Sequence, residues 1–318
     1  MESMEIVLVT GGNGFIGSHL IKHLIKKSFK IYSLDISENN QSYYFGERLD
    51  KYSEFIKADI LDYEKLEKTI NKIKPGLIFH LAAKTLVEDS FDNPLSTFKT
   101  NIMGTVNILE IARKNPSLKS LIIASSDKAY GKLKSGKYYE SHSLKGNHPY
   151  EVSKSSADLI AQSYYKTYKL PVVITRAANV YGEGDLNFSR IIPGIMKALI
   201  NDETLEIRSN GNFVRDYIYV EDIVNGYLAI LNNFSKIQGE SFNISSGESL
   251  SVLQLISVIE KALGKKIKYK ILNIVKNEIP YQSLNFSKIK NRLNWQPEYN
   301  IEKVAERIYT WYRKFYEK

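Results

Sequence analysis

The chain contains no cysteine, and this absence removes several kinds of chemistry at once. Without thiols there is no disulfide framework, no cysteine nucleophile and no cysteine metal site, and we predict no metal site of another kind. Long apolar runs are also missing, since none approaches the roughly 18 residues needed to cross a membrane. The first strand-like run begins by Ile6, which leaves no room for a signal peptide. We therefore expect a cytoplasmic globular protein.

Acidic residues are outnumbered in this chain, because 44 Lys and Arg face 35 Asp and Glu, for a net charge of +9. A basic chain raises nucleic-acid binding as a hypothesis. Blocks of about five or six like charges are absent, however, and the lysines alternate with acids along amphipathic stretches. We favour a solvated, lysine-rich surface, so nucleic acid is not an expected partner. Part of the positive field could still attract an anionic substrate.

Apolar runs alternate with helical patterns through the first half of the chain. The runs lie near residues 6–9, 31–34, 54–57, 77–81, 120–124 and 172–176, and the helical patterns near 14–27, 62–73, 97–114 and 150–168. This alternation predicts right-handed βαβ units and an α/β, Rossmann-like fold with a doubly wound parallel sheet. Apolar residues at helical spacing over 301–316 predict a final helix that packs on the core.

The length of 318 residues suggests two domains, because a domain usually takes about 100–200 residues. Past Arg176 the pattern becomes less regular, and glycines separate shorter elements. We predict a Rossmann domain over residues 1–175 that also receives part of 215–240. A smaller, partly helical domain for the substrate would occupy 176–318, interleaved with the first.

Residues 10–17 read Thr-Gly-Gly-Asn-Gly-Phe-Ile-Gly, between an apolar run and a helical pattern. A strand, a glycine-rich turn and a helix present backbone N–H groups and the positive helix N-terminus to a pyrophosphate. Gly11 permits the tight turn, Gly14 lets the backbone approach the phosphates, and Gly17 lets the helix pack against the strand. The spacing is G-x-x-G-x-x-G rather than G-x-G-x-x-G, so this interpretation needs support from its context.

Asp35 provides that support at the end of the next apolar run, Ile31 to Leu34. A carboxylate about 20 residues past the glycines is placed to bind a ribose 2′-hydroxyl and to repel a 2′-phosphate. The sequence therefore predicts NAD, rather than NADP, as the cofactor.

Tyr150 and Lys154 form the strongest catalytic pattern, because residues four apart share one face of a helix. A lysine ammonium beside a phenol favours the phenolate, so we expect the pKa of Tyr150 to be lowered from about 10 toward the working range. Such a phenolate can take a proton from an alcohol while hydride leaves the same carbon. Ser126 ends a buried strand and would donate a hydrogen bond to the substrate oxygen.

These residues resemble the extended short-chain dehydrogenase/reductase family, in its sugar-nucleotide epimerase and dehydratase branch. The resemblance runs over essentially the whole chain. Its matching segments are residues 10–17, Ala58-Asp-Ile60, Phe79-His-Leu-Ala-Ala83, Thr100-Asn-Ile-Met-Gly-Thr105, Tyr150-x-x-x-Lys154, Arg176-Ala-Ala-Asn179 and the segment from Arg215 to Asp222.

The resemblance implies further site residues. Asp59 and Ile60 would flank the adenine of the cofactor. The other implied cofactor-binding residues are Phe15, Ile16, Leu81, Ala82, Ala83, Lys84 and Asn101, beside Tyr150 and Lys154. The implied substrate-binding residues are Lys84, Ser126, Asn179, Arg190, Ile192, Pro193 and Arg215. Arg215 would bind the diphosphate, which a guanidinium can do bidentately, although a surface salt bridge with Asp216 is the structural alternative.

Asp127 and Lys128 decide the reaction class. CDP-glucose 4,6-dehydratases of the family carry an Asp-Lys pair here, and this chain resembles them most in motif, whereas epimerases usually carry small residues. Oxidation at the 4-hydroxyl would give a 4-keto sugar and NADH. Lys128 would then remove the acidified proton on carbon 5, Asp127 would protonate the departing 6-hydroxyl, and hydride would return to carbon 6. A structural pair in a loop is the alternative.

The resulting hypothesis is an NAD-dependent sugar-nucleotide 4,6-dehydratase, a lyase that retains its cofactor. A sugar-nucleotide 4-epimerase is the alternative within enzymes, because it needs neither acid nor base at this position. A sensor of NAD or of nucleotide sugars is a distant alternative, since it would not need Ser126, Tyr150 and Lys154. The resemblance also implies a homodimer, with a nucleotide sugar as the small-molecule partner and no membrane partner.

Overall fold

A computed structural model describes residues 4–133, 135–274 and 279–317. Its strands are β1 Glu5–Thr10, β2 Phe29–Asp35, β3 Glu54–Lys57, β4 Leu77–His80, β5 Ser120–Ser126, β6 Val172–Ala177, β7 Asn179–Tyr181, β8 Leu205–Ile207, β9 Val214–Tyr219, β10 Ser241–Ile244, β11 Glu248–Ser251 and β12 Tyr269–Ile271. Its helices are α1 Phe15–Leu24, α2 Tyr43–Gly46, α3 Tyr63–Ile73, α4 Val87–Asp92, α5 Pro94–Phe98, α6 Gly104–Lys114, α7 Pro149–Tyr168, α8 Ile191–Asn201, α9 Val220–Asn232, α10 Val252–Leu263, α11 Ser287–Leu293 and α12 Ile301–Tyr316.

Seven parallel strands form the central sheet in the order β10-β6-β5-β4-β1-β2-β3. Val7 pairs with Ile31 on one side of β1 and with Leu77 on the other. The order reverses between β1 and β4, and at such a switch point the carboxyl ends of the strands leave a crevice for ligands. The predicted doubly wound parallel sheet is confirmed, with all six predicted strands in it.

Helices cover both faces of this sheet. On one face, α1 and α9 pack Leu20, Leu24 and Ile223 into a buried cluster. On the other face, α3, α6 and α7 bury a second cluster that contains Ile70 and Ile108. Because both faces are covered, strands such as β4 are buried along their whole length, as their apolar sequences require.

A second, smaller set of elements surrounds a third cluster. It combines the three-stranded sheet β11-β9-β7 and the pair β12-β8 with α8, α10 and α12. On α12 the predicted core stripe is buried at Ile301, Val304, Ala305 and Ile308. The chain returns to the large sheet through β10, just after the 215–240 segment expected there, while α9 packs on α1. The division into two domains stays a prediction.

One predicted helix is built differently. The pattern near 97–114 becomes α5, a π-helical turn over Lys99–Met103, and α6. A π-helical turn inserts an extra residue and often lies at a functional site. It contains Asn101, whose buried amide contacts the loop after β4. Across the described ranges, no helix combines the length and apolar character that a membrane span requires.

Candidate functional site

The glycine turn lies between β1 and α1, at the carboxyl edge of the sheet. Gly11 has a φ of 71°, and a Cβ there would come within 2.8 Å of the backbone nitrogen of Ala82. A Cβ at Gly17 would overlap the carbonyl oxygen of Gly11. Gly14 precedes α1 and provides no side-chain cap, so first-turn N–H groups stay open to an anion. This cradle fits a pyrophosphate.

Asp35 borders that cradle. Its Oδ2 accepts a hydrogen bond from the backbone N–H of Asn13 at 3.1 Å, and its Oδ1 accepts one from Ile36 at 2.8 Å. Burial raises the pKa of Asp35, against these two hydrogen bonds. The carboxylate is thus held beside the glycine turn, where it fits the ribose of NAD better than a 2′-phosphate.

The other predicted cofactor residues follow the ends of neighbouring strands. Asn107 donates from Nδ2 to the carbonyl of Ile60 at 2.9 Å, which ties the segment after β3 to α6. Leu81 donates from its N–H to the carbonyl of Thr10 at 3.0 Å, so the loop with Ala82 and Ala83 begins beside the glycine turn. In the segment after β3, the side chain of Asp59 accepts a hydrogen bond from the N–H of Leu61 at 2.9 Å and so stabilises the turn of the chain. Phe15 and Ile16 lie in the first turn of α1.

Asn101 joins the loop after β4 to α7. Its Oδ1 accepts from the N–H of Lys84 at 2.8 Å, and its Nδ2 donates to the Lys84 carbonyl at 3.0 Å and to Ser153 Oγ at 2.9 Å. Ser153 is a residue that the sequence reasoning missed, although its place next to Lys154 is a usable signal. The predicted cofactor residue Asn101 therefore acts in this structure as a brace.

Ser126, Tyr150 and Lys154 come together where β5 ends and α7 begins. Tyr150 is 6% exposed and Lys154 is 7% exposed. Tyr150 and Ser126 share a hydrogen bond, while Lys154 Nζ donates to the carbonyl of Ala124 at 3.0 Å. A phenol, a hydroxyl and an amine thus lie together at the same edge of the parallel sheet as the glycine turn.

Burial dominates the electrostatics of this group. It raises the pKa of Tyr150 to about 12, while the Ser126 hydrogen bond and the charge of Arg190 act in the opposite direction. It lowers the pKa of Lys154 to about 8, against the negative charge of Asp158. The expected lowering of the Tyr150 pKa is therefore wrong for this structure, because desolvation of the phenolate outweighs its favourable contacts.

Asp127 and Lys128 lie in the helical turn that follows β5. Asp127 is 1% exposed, its Oδ1 accepts from Ser126 Oγ at 3.0 Å, and its Oδ2 has no hydrogen-bond partner among the described residues. Lys128 Nζ lies 3.5 Å from Asp127 Oδ1 and donates to Asn179 Oδ1 at 3.1 Å. This pair is enclosed beside Ser126 and Tyr150, unlike a pair in an exposed loop.

The predicted substrate residues lie on four elements, β5, β7, α8 and β9, and in the segments after β4 and before α8. Arg190 precedes α8, donating to Asp185 Oδ2 at 3.0 Å and to Thr85 Oγ1 at 3.2 Å, so it reaches across to the loop after β4. Arg215 on β9 donates to the carbonyl of Val214 at 2.9 Å. Two further predicted residues, Ile192 and Pro193, are buried in the first turn of α8.

A buried network behind the site was also missed. Arg176 donates from Nε and Nη2 to the two carboxylate oxygens of Asp158 at 2.9 and 3.0 Å, and from Nη1 to Tyr130 Oη at 2.8 Å. Tyr130 donates in turn to Asn243 Oδ1 at 2.7 Å. Asp158 follows Lys154 by four residues, and that spacing on one helix face was the available signal.

Comparison with known proteins extends these observations. Residues 8–308 match the family model described as GDP-mannose 4,6 dehydratase. A dTDP-D-glucose 4,6-dehydratase from Dictyostelium discoideum is 37% identical over 277 residues, covering 80% of this chain and 62% of that protein. A CDP-glucose 4,6-dehydratase from Salmonella typhimurium is 30% identical over 328 residues, covering 96% of this chain and 90% of that protein.

A solved structure matches the chain over nearly its whole length. The UDP-glucuronic acid 4-epimerase from Bacillus cereus, crystallised with UDP-glucuronic acid and NAD, has a TM-score of 0.89 at 29% identity, covering 98% of this chain and 100% of that one. The NAD in that structure agrees with the cofactor expected from Asp35. Since the family model spans nearly the whole chain, the resemblance noted in the sequence is confirmed. The chain belongs to the GDP-mannose 4,6 dehydratase family, among the extended short-chain dehydrogenases/reductases that modify nucleotide sugars.

Proposed function

We propose that this chain is an NAD-dependent sugar-nucleotide 4,6-dehydratase. The observation that carries the proposal is the enclosed pair of Asp127 and Lys128, placed beside Ser126. Elimination of water needs one group that takes a proton and another that gives one. A 4-epimerase needs neither, so an acid–base pair at this point favours the dehydratase.

The cradle of Gly11, Gly14 and Gly17 would hold the pyrophosphate of NAD, and Asp35 would hold its adenosine ribose. NAD, when bound, supplies the reversible two-electron oxidation that the side chains of this protein lack. At the sugar, the phenol oxygen of Tyr150 would take the proton of the 4-hydroxyl. That transfer requires the ionised phenol, which the Ser126 hydrogen bond and the Arg190 charge both favour.

Elimination follows at carbons 5 and 6. A ketone at carbon 4 acidifies the carbon 5 proton, which the unprotonated Nζ of Lys128 would remove. The carbon 6–oxygen bond then breaks, and the carboxyl of Asp127 would protonate the departing hydroxyl so that it leaves as water. Asn179 holds Lys128 for this step, because its Oδ1 accepts from Nζ while its Nδ2 donates to the Asp216 carbonyl at 3.2 Å.

A sugar-nucleotide 4-epimerase is the second candidate. The observation in its favour is the likeness to the Bacillus cereus epimerase, which extends over 98% of this chain. That activity would use Ser126, Tyr150 and Lys154 in the same way and would leave Asp127 and Lys128 without a chemical step.

Product analysis separates the two candidates. The purified protein is incubated in deuterated water with GDP-, CDP-, UDP- and dTDP-hexoses, and the products are examined by mass spectrometry. We expect loss of one water and uptake of deuterium at carbon 5 with one of these substrates. An inverted sugar as the only product would overturn the dehydratase assignment.

Two substitutions locate the chemistry. Tyr150→Phe should nearly abolish oxidation at carbon 4, and near-normal turnover would contradict the role of the phenol. Asp127→Asn keeps the shape of the side chain and removes the acid, so reduced cofactor should accumulate while the dehydrated product disappears. Lys68→Met, on the exposed face of α3, is the matched surface control and should leave both readouts unchanged.

We also propose that the protein is a homodimer that pairs through α6 and α7. Met103, next to α6, and Leu159, on α7, are each about half exposed, and covering this apolar surface with a second copy would remove it from water, which is favourable. Light scattering should give twice the chain mass, and Leu159→Glu should shift it toward the monomer. A monomeric wild type would refute this proposal.

A further inference from the structure

The turn that carries Asp127 and Lys128 is hydrogen-bonded to α7. Ser155, on α7, donates from Oγ to the carbonyl of Ala129 at 2.7 Å. The same helix carries Lys154 directly before Ser155, and Tyr150 a little more than one turn before it. The proposed acid–base pair is therefore connected, through the backbone of one short turn and one helix, to the residues that would act in the oxidation step.

Tyr130 ends this turn and makes the second attachment. Its hydroxyl accepts from Arg176 Nη1 at 2.8 Å and donates to Asn243 Oδ1 at 2.7 Å. Burial raises the pKa of Tyr130 to about 12, so the hydroxyl keeps the proton that it donates. Both contacts are buried, and a hydrogen bond there is costly to leave unmade.

Arg176 links Tyr130 to Asp158 on α7. Its guanidinium binds both carboxylate oxygens of Asp158, and a bidentate pair of this kind fixes direction as well as distance. Both side chains are almost fully buried, at 3% and 0% exposure. The route Asp158–Arg176–Tyr130 thus connects α7 to the far end of the turn, while Ser155 connects it to the middle.

We propose that Tyr130 is a positioning residue, which sets Asp127 and Lys128 at a fixed place relative to Tyr150 and Lys154. This inference rests on the proposed function, because the Tyr130 hydroxyl would align the groups that act in two separate steps of that reaction. Oxidation acts on carbon 4, and elimination acts on carbons 5 and 6 of the same bound sugar. A displacement of about 1 Å between the two groups can slow the affected step about 100-fold.

The test uses Tyr130→Phe, which removes only the hydroxyl. In single turnovers with enzyme in excess, absorbance gives the rate constants for the appearance and the disappearance of reduced cofactor. We expect disappearance to slow by at least about tenfold, while appearance changes less than about twofold. A loss of folded protein alone would leave both rate constants unchanged while folded enzyme stays saturating and in excess, because every substrate molecule is then bound to an intact enzyme molecule.

Tyr44→Phe is the matched control, since Tyr44 is also fully buried and its hydroxyl lies 2.8 Å from Ser53 Oγ. Ser155→Ala is the second variant and should act in the same direction as Tyr130→Phe. Ser163→Ala is its control, because Ser163 lies on the same helix and its hydroxyl donates to the carbonyl of Ile160 within that helix. If Tyr130→Phe does not fold, Ser155→Ala decides alone.

Each outcome has one meaning. Selective slowing of the second step in the variants, with both controls normal, supports the proposal. Unchanged rate constants, or equal slowing of both steps, overturn it. The proposed function is judged separately by the wild-type product, because a wild type that forms no dehydrated sugar refutes the dehydratase whatever the variants do.

Discussion

Lys154→Met should make the free protein more stable and inactive at the same time. Burial lowers the pKa of Lys154 from 10.5 to about 8, so near neutral pH the folded protein carries a lysine charge that burial disfavours. Because the unfolded chain binds this proton more tightly, wild-type stability rises with pH between about 8 and 10.5. Below that interval the full penalty is present.

The magnitude follows from the pKa values. Each pKa unit is worth about 1.4 kcal/mol, so the fall from 10.5 to about 8 corresponds to about 3 kcal/mol of the free energy of unfolding. Methionine leaves the Ala124 carbonyl without its donor, which costs about 1 kcal/mol. The variant should therefore be about 2 kcal/mol more stable than wild type near neutral pH.

Urea unfolding of both proteins across this pH interval is the assay. The advantage of Lys154→Met should shrink as pH rises and should vanish or reverse as the pH approaches 10.5, because the wild-type lysine is then neutral in the folded state and is losing its proton in the unfolded state as well. Lys68→Met, which replaces an exposed lysine, should show no such pH dependence. A Lys154→Met protein that is less stable near neutral pH, or a stability difference that ignores pH, would refute the reasoning.

Three further predictions concern the glycine turn, Asp35 and a buried carboxyl. Asp35→Ser should lower the preference for NAD over NADP at least about tenfold in fluorescence titrations. The reason is that removing the carboxylate removes about 1–2 kcal/mol of repulsion toward a 2′-phosphate. An unchanged preference would count against the ribose contact. Gly17→Ala should abolish NAD binding in the same titration and destabilise the fold by about 1–3 kcal/mol, since its Cβ would overlap the Gly11 carbonyl. Tight NAD binding by this variant would contradict the prediction, because it would show that the turn can relax. Burial raises the pKa of Asp216 from 3.8 to about 7, so wild-type stability should fall as pH rises through that interval. Asp216→Asn, measured by urea unfolding at either end of the interval, should gain stability relative to wild type as pH rises, and a constant difference would argue against the shifted pKa.

Local patterns predicted the parts of the fold that local sequence determines. All six apolar runs are strands, because a strand buried on both faces must be apolar throughout. Strand β10 was not predicted, since Ser241–Ile244 is short and includes Asn243, whose amide is satisfied only by tertiary contacts. The π-helical turn at 99–103 was not predicted either. It directs Asn101 toward the loop after β4, and such a tertiary contact leaves no signal in the local pattern.

Motifs placed the candidate site but could not give its electrostatics. Tyr150 and Lys154 were paired by spacing alone, and spacing contains no information on burial. The structure encloses both side chains, so desolvation raises one pKa and lowers the other. Arg176 was noticed only as part of a motif, because its partners Asp158 and Tyr130 are brought together by the packing of α7 against β6 and the turn after β5.

Strand β10 has a consequence for how the chain folds during its synthesis. Until Ser241–Ile244 has been made and has paired, β6 is the edge of the sheet, and the backbone groups of Val172–Ala177 on that side have no strand beside them. An open edge strand is a template for pairing with another chain, and such distant pairings form slowly. A nascent or truncated chain that stops before residue 241 should therefore aggregate, so β10 protects solubility as well as completing the seven-stranded sheet.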